Sequence, residues 1–151
     1  MKTFHIAKAK VLGSDDYPYI NGKISFTDAP LGVWISAEFT GLPKTQKGFF
    51  GFHLHEGKDC KQGIKPFYQG SLSHYNPKNE IHPKHAGDFP NIISSKRGYA
   101  KLFFLTDRFK VSEIIEKTVV LHLEPDDYGS QPSGNSGEKI ACGVILPSIS
   151  I

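Results

Sequence analysis

A chain of 151 residues can bury one substantial hydrophobic core and is too short for two, so the sequence reads as a single domain over residues 1–151. Its formal charge of +3 comes from 18 basic and 15 acidic residues dispersed along the chain. No basic run interleaved with aromatics tracks a phosphate backbone, which argues against nucleic acid as a partner. No stretch approaches the roughly 18 consecutive apolar residues of a membrane span. The N-terminus, MKTFHIAKAKV, alternates polar and apolar residues instead of forming the apolar run of an export signal. The expected location is cytoplasmic, with an exported mature form left open.

In chain order, segments 5–12, 19–27, 32–40, 49–55, 99–106, 118–123 and 139–146 alternate in polarity or are rich in β-branched and aromatic residues, and turn residues bound each one. Many short strands joined by Gly and Pro turns predict an all-β sandwich or barrel. Only 109–117 suggests a helix, with Ser112 as its cap, Glu113 in its first turn, and Ile114 and Ile115 facing inward. Two regions, 57–95 and 125–138, are long and dense in Gly, Pro, Asn and Ser. Loops of that length inside a compact domain are functional or disordered. The first carries His74, His82 and His85, which points to a loop ordered by something it binds.

Six of the seven histidines fall in tight runs: His53 and His55 in GFHLHEG, His74, His82 and His85 in SHYNPKNEIHPKHAGD, and His122 in VVLHLEPDD. Histidine is the commonest metal-binding side chain, so such runs point to metal. On a strand, His53 and His55 project to one side while Phe52 and Leu54 take the core. His122 repeats the arrangement between Leu121 and Leu123, so three imidazoles are expected to meet on the outer surface of a barrel wall. His82, His85 and Asp88 stand three residues apart, but Pro83 inside the run and Pro77 and Pro90 beside it exclude a regular helix. The alternative is an irregular chelating loop in which Gly87 allows a sharp turn. With His74 the loop offers three imidazoles and one carboxylate, a closed set suited to structural zinc. Cys60 and Cys142 read either as two buried thiols or as a disulfide.

The motifs GFHLHE, SHYNP, HAGD, VVLHLEPDD and GNSGEKIACGVI resemble, in this order, the ligand-bearing motifs of the copper/zinc superoxide dismutases. The resemblance covers essentially the whole chain and is loosest over 20–26 and 32–42. It implies an eight-stranded Greek-key β-barrel of immunoglobulin-like sandwich architecture, with long metal-binding and electrostatic loops. It implies an enzyme that disproportionates superoxide to oxygen and hydrogen peroxide through a Cu(II)/Cu(I) cycle beside a structural zinc. By the same resemblance His53, His55, His74 and His122 hold copper, and His74, His82, His85 and Asp88 hold zinc. His74 thus bridges the metals and takes part in catalysis. Asp126 orients one ligand of each metal, and Cys60 and Cys142 form a disulfide tying the metal loop to the last strand.

The sequence departs from the family at three places. Lys139 stands where the family usually has an arginine that binds the incoming anion, keeping the charge but losing the planar fork. The second loop is short and lacks clustered charge. The stretch 61–73 is longer than in common eukaryotic members and carries Phe67 and Tyr68, which either anchor an interface or pack under the loop. The partners implied are superoxide, a second copy in a homodimer, and a copper-delivery protein. The competing readings are a zinc-only or copper-binding module of the same fold, and a hydrolytic zinc enzyme using His53, His55 and His122 with an open position.

Overall fold

The computed structural model describes residues 5–149. Among these, strands β1 (Ile6–Gly13), β2 (Asn21–Ala29), β3 (Gly32–Thr40), β4 (Phe49–Phe50), β5 (Phe52–His55), β6 (Ile92–Ile93) and β7 (Ala100–Thr106) precede a short helix α1 (Val111–Ile114), followed by β8 (Thr118–His122) and β9 (Lys139–Pro147). Every predicted strand is present within two residues at either end. The exception to the loop reading of 57–95 is β6, a two-residue strand too short to show a period.

One antiparallel sheet runs β5-β8-β9-β1-β2-β3-β7, and β4 pairs separately with β6. Residues 49–55 are one strand bent at Gly51, whose N–H donates to Glu124 O at 2.9 Å and whose carbonyl accepts His122 N–H at 2.8 Å. Below the bend the strand belongs to the long sheet. Above it the strand turns to β6, which packs beside β7 and brings the two ends of the sheet together. Counted this way the barrel has eight strands, and the crossings from β3 to β4 and from β7 to β8 make it a Greek key.

Inner faces follow the period of two. Ala7, Ala9 and Val11 of β1, Ile24 and Phe26 of β2, and Val33, Ile35, Ala37 and Phe39 of β3 are all buried. Phe52 sits at the centre, its ring 5.8 Å from Phe39 edge-on and 5.3 Å from Phe89. Phe89 comes from the long loop, so burying it, worth about 1.5–3 kcal/mol, also pins that loop to the barrel. The helix starts differently from expectation. Lys110 occupies the cap position, and Glu113 reaches back to accept the Lys110 N–H while Asp28 of β2 accepts Val111 N–H at 3.0 Å. Ser112 lies inside the first turn and caps nothing.

The inserted stretch packs under the loop. Tyr68 is 3% exposed against Val120 and Cys142, with Cys60 and Phe67 alongside, and its hydroxyl donates to Leu12 O at 3.3 Å. Gln62 and Lys65 fasten the same stretch to Asp15 and Asp16 in the turn after β1. The Cys60–Cys142 disulfide, with Cα atoms 5.6 Å apart, ties it to β9.

Candidate metal centre

The edge of β5 that does not face β8 is taken by the chain's own long loop. Leu54 N–H donates to Gly87 O at 2.9 Å, Leu54 O accepts Tyr75 N–H at 2.8 Å, and Glu56 N–H donates to Ser73 O at 2.8 Å. This pairing sets His74 beside His55 and Asp88 beside His53. The expected turn before Asp88 is present, closed by Asp88 N–H donating to His85 O at 3.1 Å. Glycine is needed in it for close backbone approach, since a Cβ at Gly87 would lie 2.2 Å from Leu54 O. The alternation of His53 and His55 with Phe52 and Leu54 is as expected, but the imidazoles do not lie on an outer surface. His53, His55 and His122 are 0%, 2% and 4% exposed because the two loops cover that face of β5 and β8.

Each imidazole has one nitrogen committed to an oxygen. His53 Nε2 lies 2.8 Å from Asp126 Oδ2, and His82 Nε2 lies 2.8 Å from Asp126 Oδ1. His55 Nδ1 meets Leu72 O at 2.8 Å, and His122 Nδ1 meets Gly137 O at 3.3 Å. A carbonyl oxygen only accepts, so both Nδ1 atoms carry the proton and both Nε2 atoms present lone pairs. Those two Nε2 atoms lie 3.2 Å apart in a buried space. Lone pairs so placed repel unless a cation lies between them. On the other side His74 Nδ1 is 2.8 Å from Asp88 Oδ1 and 3.3 Å from His85 Nδ1, and Asp88 Oδ2 is 3.2 Å from His85 Nδ1. His53 Nδ1, His74 Nε2 and His82 Nδ1 are buried without a hydrogen-bond partner, although His82 Nδ1 is 3.1 Å from Asp88 Oδ2 in a direction that makes no hydrogen bond.

Two four-residue groups result, His53/His55/His74/His122 and His74/His82/His85/Asp88, and in each the donor atoms lie within 4.8 Å of one another. His74 belongs to both. The donor chemistry fits metal on both sides: neutral imidazoles converge in one group, and imidazoles with one carboxylate in the other. Burial keeps the rings neutral, pushing His53 down to about 4 against the Asp126 hydrogen bond and holding His55 and His122 well below the ordinary histidine value. Burial by itself would raise the Asp126 carboxyl, but hydrogen bonds from His53 and His82 outweigh it and bring it to about 2.

Lys139 faces His122 across the β8–β9 pair. Its Nζ donates to Ser71 Oγ at 2.7 Å, Leu72 O at 2.9 Å and Tyr68 O at 3.4 Å, so it is not a solvated strand-end lysine. It borders a cleft of about 370 Å³ lined also by His55, His74, His122, Asn76 and Ser133. Sequence reasoning missed the groups that act through their backbone or from a distance. Leu72 and Gly137 contribute carbonyls. Asn91 clasps the Asp126 backbone through Oδ1 and Nδ2, at 2.9 and 3.0 Å. Gly134, with φ 73°, leaves room for Asp126 Oδ1, which a Cβ would approach to 1.9 Å. Only the glycines of PSGNSG gave any signal of this.

Residues 20–145 match the family model described as copper/zinc superoxide dismutase. The chain belongs to the copper/zinc superoxide dismutase family. A superoxide dismutase [Cu-Zn] from Legionella pneumophila is 35% identical over 136 residues, covering 85% of this chain and 79% of that protein. Superoxide dismutase [Cu-Zn] 2 from Aquifex aeolicus (strain VF5) is 33% identical over 138 residues, covering 82% and 78%. The crystal structure of the clock protein EA4 is similar with a TM-score of 0.80 at 32% identity, covering 98% of each chain. The eight-stranded barrel, the two histidine groups and the disulfide all accord with membership of the family.

Proposed function

We propose that this chain is a superoxide dismutase that uses copper and zinc to convert two superoxide ions and two protons into one oxygen and one hydrogen peroxide. The observation that carries the reading is His74, shared between an all-imidazole group and a group of three imidazoles and a carboxylate. His53, His55, His74 and His122 suit copper, and His74, His82, His85 and Asp88 suit zinc. When bound, copper supplies a one-electron couple, Cu(II)/Cu(I), that superoxide can both reduce and reoxidise, and zinc supplies a fixed charge without redox chemistry.

The chain itself must admit a small anion, hold the ligands still and deliver protons. Among the described residues no carboxylate pairs with Lys139, so its charge is uncompensated at the cleft and draws superoxide inward. The hydrogen bonds of that ammonium are already spent on the loop, so its attraction acts through charge and not through a fork of donors. Among the described residues His74 is the one cleft-lining histidine with a buried Nε2 that has no hydrogen-bond partner. That nitrogen is placed to take up a proton and pass it to a reduced anion within reach. Asp126 fixes His53 and His82 with their Nδ1 lone pairs turned toward the two metal groups.

A module that merely holds zinc has no use for the remaining buried imidazoles of the copper group. A second copy of the chain and a copper-delivery protein are further proposed partners. Tyr68 does not serve that second copy, since it is buried. Metal analysis after loading with copper and zinc, followed by a superoxide-consumption assay, tests the function. Stoichiometric copper without turnover would overturn it.

A further inference from the structure

Leu72 holds the least ordinary backbone of the site. Its φ of 60° and ψ of −151° lie in a region essentially reserved for glycine. At the other end of the same turn Tyr68 is left-handed, with φ 63° and ψ 32°, and between them runs a single 3-10 turn, Gln69–Ser71. Such a conformation persists only where its surroundings impose it. Gly57 N–H holds Ser71 O at 2.8 Å, and the Ser71 hydroxyl donates to Tyr68 O at 2.7 Å. Among the described residues Lys139 is the one side chain from outside the turn that bonds to it more than once, its three N–H donors ending at Ser71 Oγ (2.7 Å), Leu72 O (2.9 Å) and Tyr68 O (3.4 Å). The same Leu72 carbonyl accepts Nδ1–H of His55 at 2.8 Å. Each of its two lone pairs is therefore used, one by the ammonium and one by the imidazole.

We propose that Lys139 is a positioning residue for His55: its ammonium holds the 68–72 turn in its strained form, so that the Leu72 carbonyl fixes His55 with Nε2 free as a ligand nitrogen beside His122. Relaxing Leu72 to an ordinary extended conformation withdraws that carbonyl and leaves Nδ1 of a buried ring without a partner. The lysine then serves twice, by charge at the cleft and by hydrogen bonds behind it. This deepens the dismutase reading and rests on His55 holding copper, but its test does not use turnover.

The test compares the full-length wild-type chain with Lys139→Met, Ser71→Ala and the double variant Leu72→Gly/Lys139→Met. Cu(II) and Zn(II) affinities are measured by chelator competition, and the His55 ring is followed by nitrogen-15 NMR in metal-free protein. Loss of a hydrogen bond behind a ligand weakens metal binding by about 10–100-fold. Lys139→Met is accordingly expected to weaken Cu(II) at least about tenfold, to leave Zn(II) within about twofold, and to mix the His55 tautomers. Ser71→Ala keeps the charge but removes one acceptor of Lys139 and the hydroxyl's own bond to Tyr68 O, leaving the ammonium on Leu72 O, so it shifts copper in the same direction by a smaller factor. Glycine adopts the Leu72 conformation without penalty, so Leu72→Gly restores most of the copper affinity in the Lys139→Met background. Unchanged copper affinity and His55 tautomer in both Lys139→Met and Ser71→Ala overturn the proposal, as does a double variant as weak as Lys139→Met. A wild-type protein that binds no copper overturns the dismutase reading instead, while the metal-free His55 spectra still decide this one.

Discussion

Replacing Asp126 with asparagine separates the two metal groups. The change preserves size but exchanges one carboxylate oxygen for an NH2 donor. Oδ1 receives both His82 Nε2 at 2.8 Å and Tyr128 N–H at 2.7 Å, whereas Oδ2 receives His53 Nε2 alone at 2.8 Å. The amide oxygen therefore settles at the Oδ1 position, saving two bonds, and the NH2 faces His53. Two donors cannot face each other in a buried site, so His53 must move its proton to Nδ1, the nitrogen otherwise turned toward the copper group. The loss is one charge-assisted hydrogen bond, roughly 1.5–3 kcal/mol, plus a tautomer unable to bind metal. At 1.4 kcal/mol per decade, copper should bind about 10–100-fold more weakly, and zinc much less so. Separate chelator competitions for Cu(II) and Zn(II) read the ratio, and nitrogen-15 NMR reads the His53 tautomer. A variant in which zinc weakens as much as copper would refute this account of how the carboxylate divides its work.

Acid should destabilise the metal-free protein through its buried histidines before Asp126 titrates. The unfolded chain protonates His53 near 6.5 and the folded chain only at about 4, so the full stability present above 6.5 falls across that window, by roughly 3 kcal/mol, with His55 and His122 adding in the same direction. Urea unfolding that gives the same stability at pH 7 and pH 4.5 contradicts the burial of these rings. Below that window Asp126 takes over, its contribution present above 3.8 and lost as pH falls toward about 2. Removing the disulfide by Cys60→Ser with Cys142→Ser opens a closure spanning 82 residues, worth about 4–5 kcal/mol of chain entropy. A urea-derived loss below about 1 kcal/mol would dispose of that entropic account. Gly87→Ala drives a Cβ to 2.2 Å from Leu54 O, a backbone atom that cannot swing aside, so the loop should lift from β5 and both metals weaken together. Normal metal content in that variant would show that the loop reaches the site by another route.

The parts of the molecule governed by local periodicity were readable from sequence. Strands 32–40 and 139–147 carry long alternating or β-branched runs, and the bend at Gly51 is the one place where a predicted strand divides. The histidine groups were visible because metal ligands must be of particular residue types, and their sharing of His74 came with the family resemblance. What stayed hidden depends on chain segments meeting. The burial of His53 and His55 follows from a loop folding back over them, which no periodicity in FHLH reports. The acceptors of His55 and His122 are backbone carbonyls, which every residue possesses. Lys110 and not Ser112 took the cap position of α1 because the helix begins two residues earlier than a Ser112 cap would place it, with Glu113 supplying the acceptor. The position of Lys139 was legible, but not its bonds, since those require Leu72 to adopt a conformation that leucine sequences do not announce.

The pairing of β5 with its own loop has a consequence for solubility. β5 ends the long sheet, so the N–H and C=O of Leu54 point away from β8 and find partners only in Gly87 and Tyr75. Whatever detaches the loop converts a satisfied strand into an open edge, flanked by Phe52 and Leu54, that offers its hydrogen bonds to any passing extended segment. Loss of metal or of the disulfide is therefore expected to convert part of the population from isolated molecules into chains joined edge to edge, at concentrations where the loaded, oxidised protein stays apart.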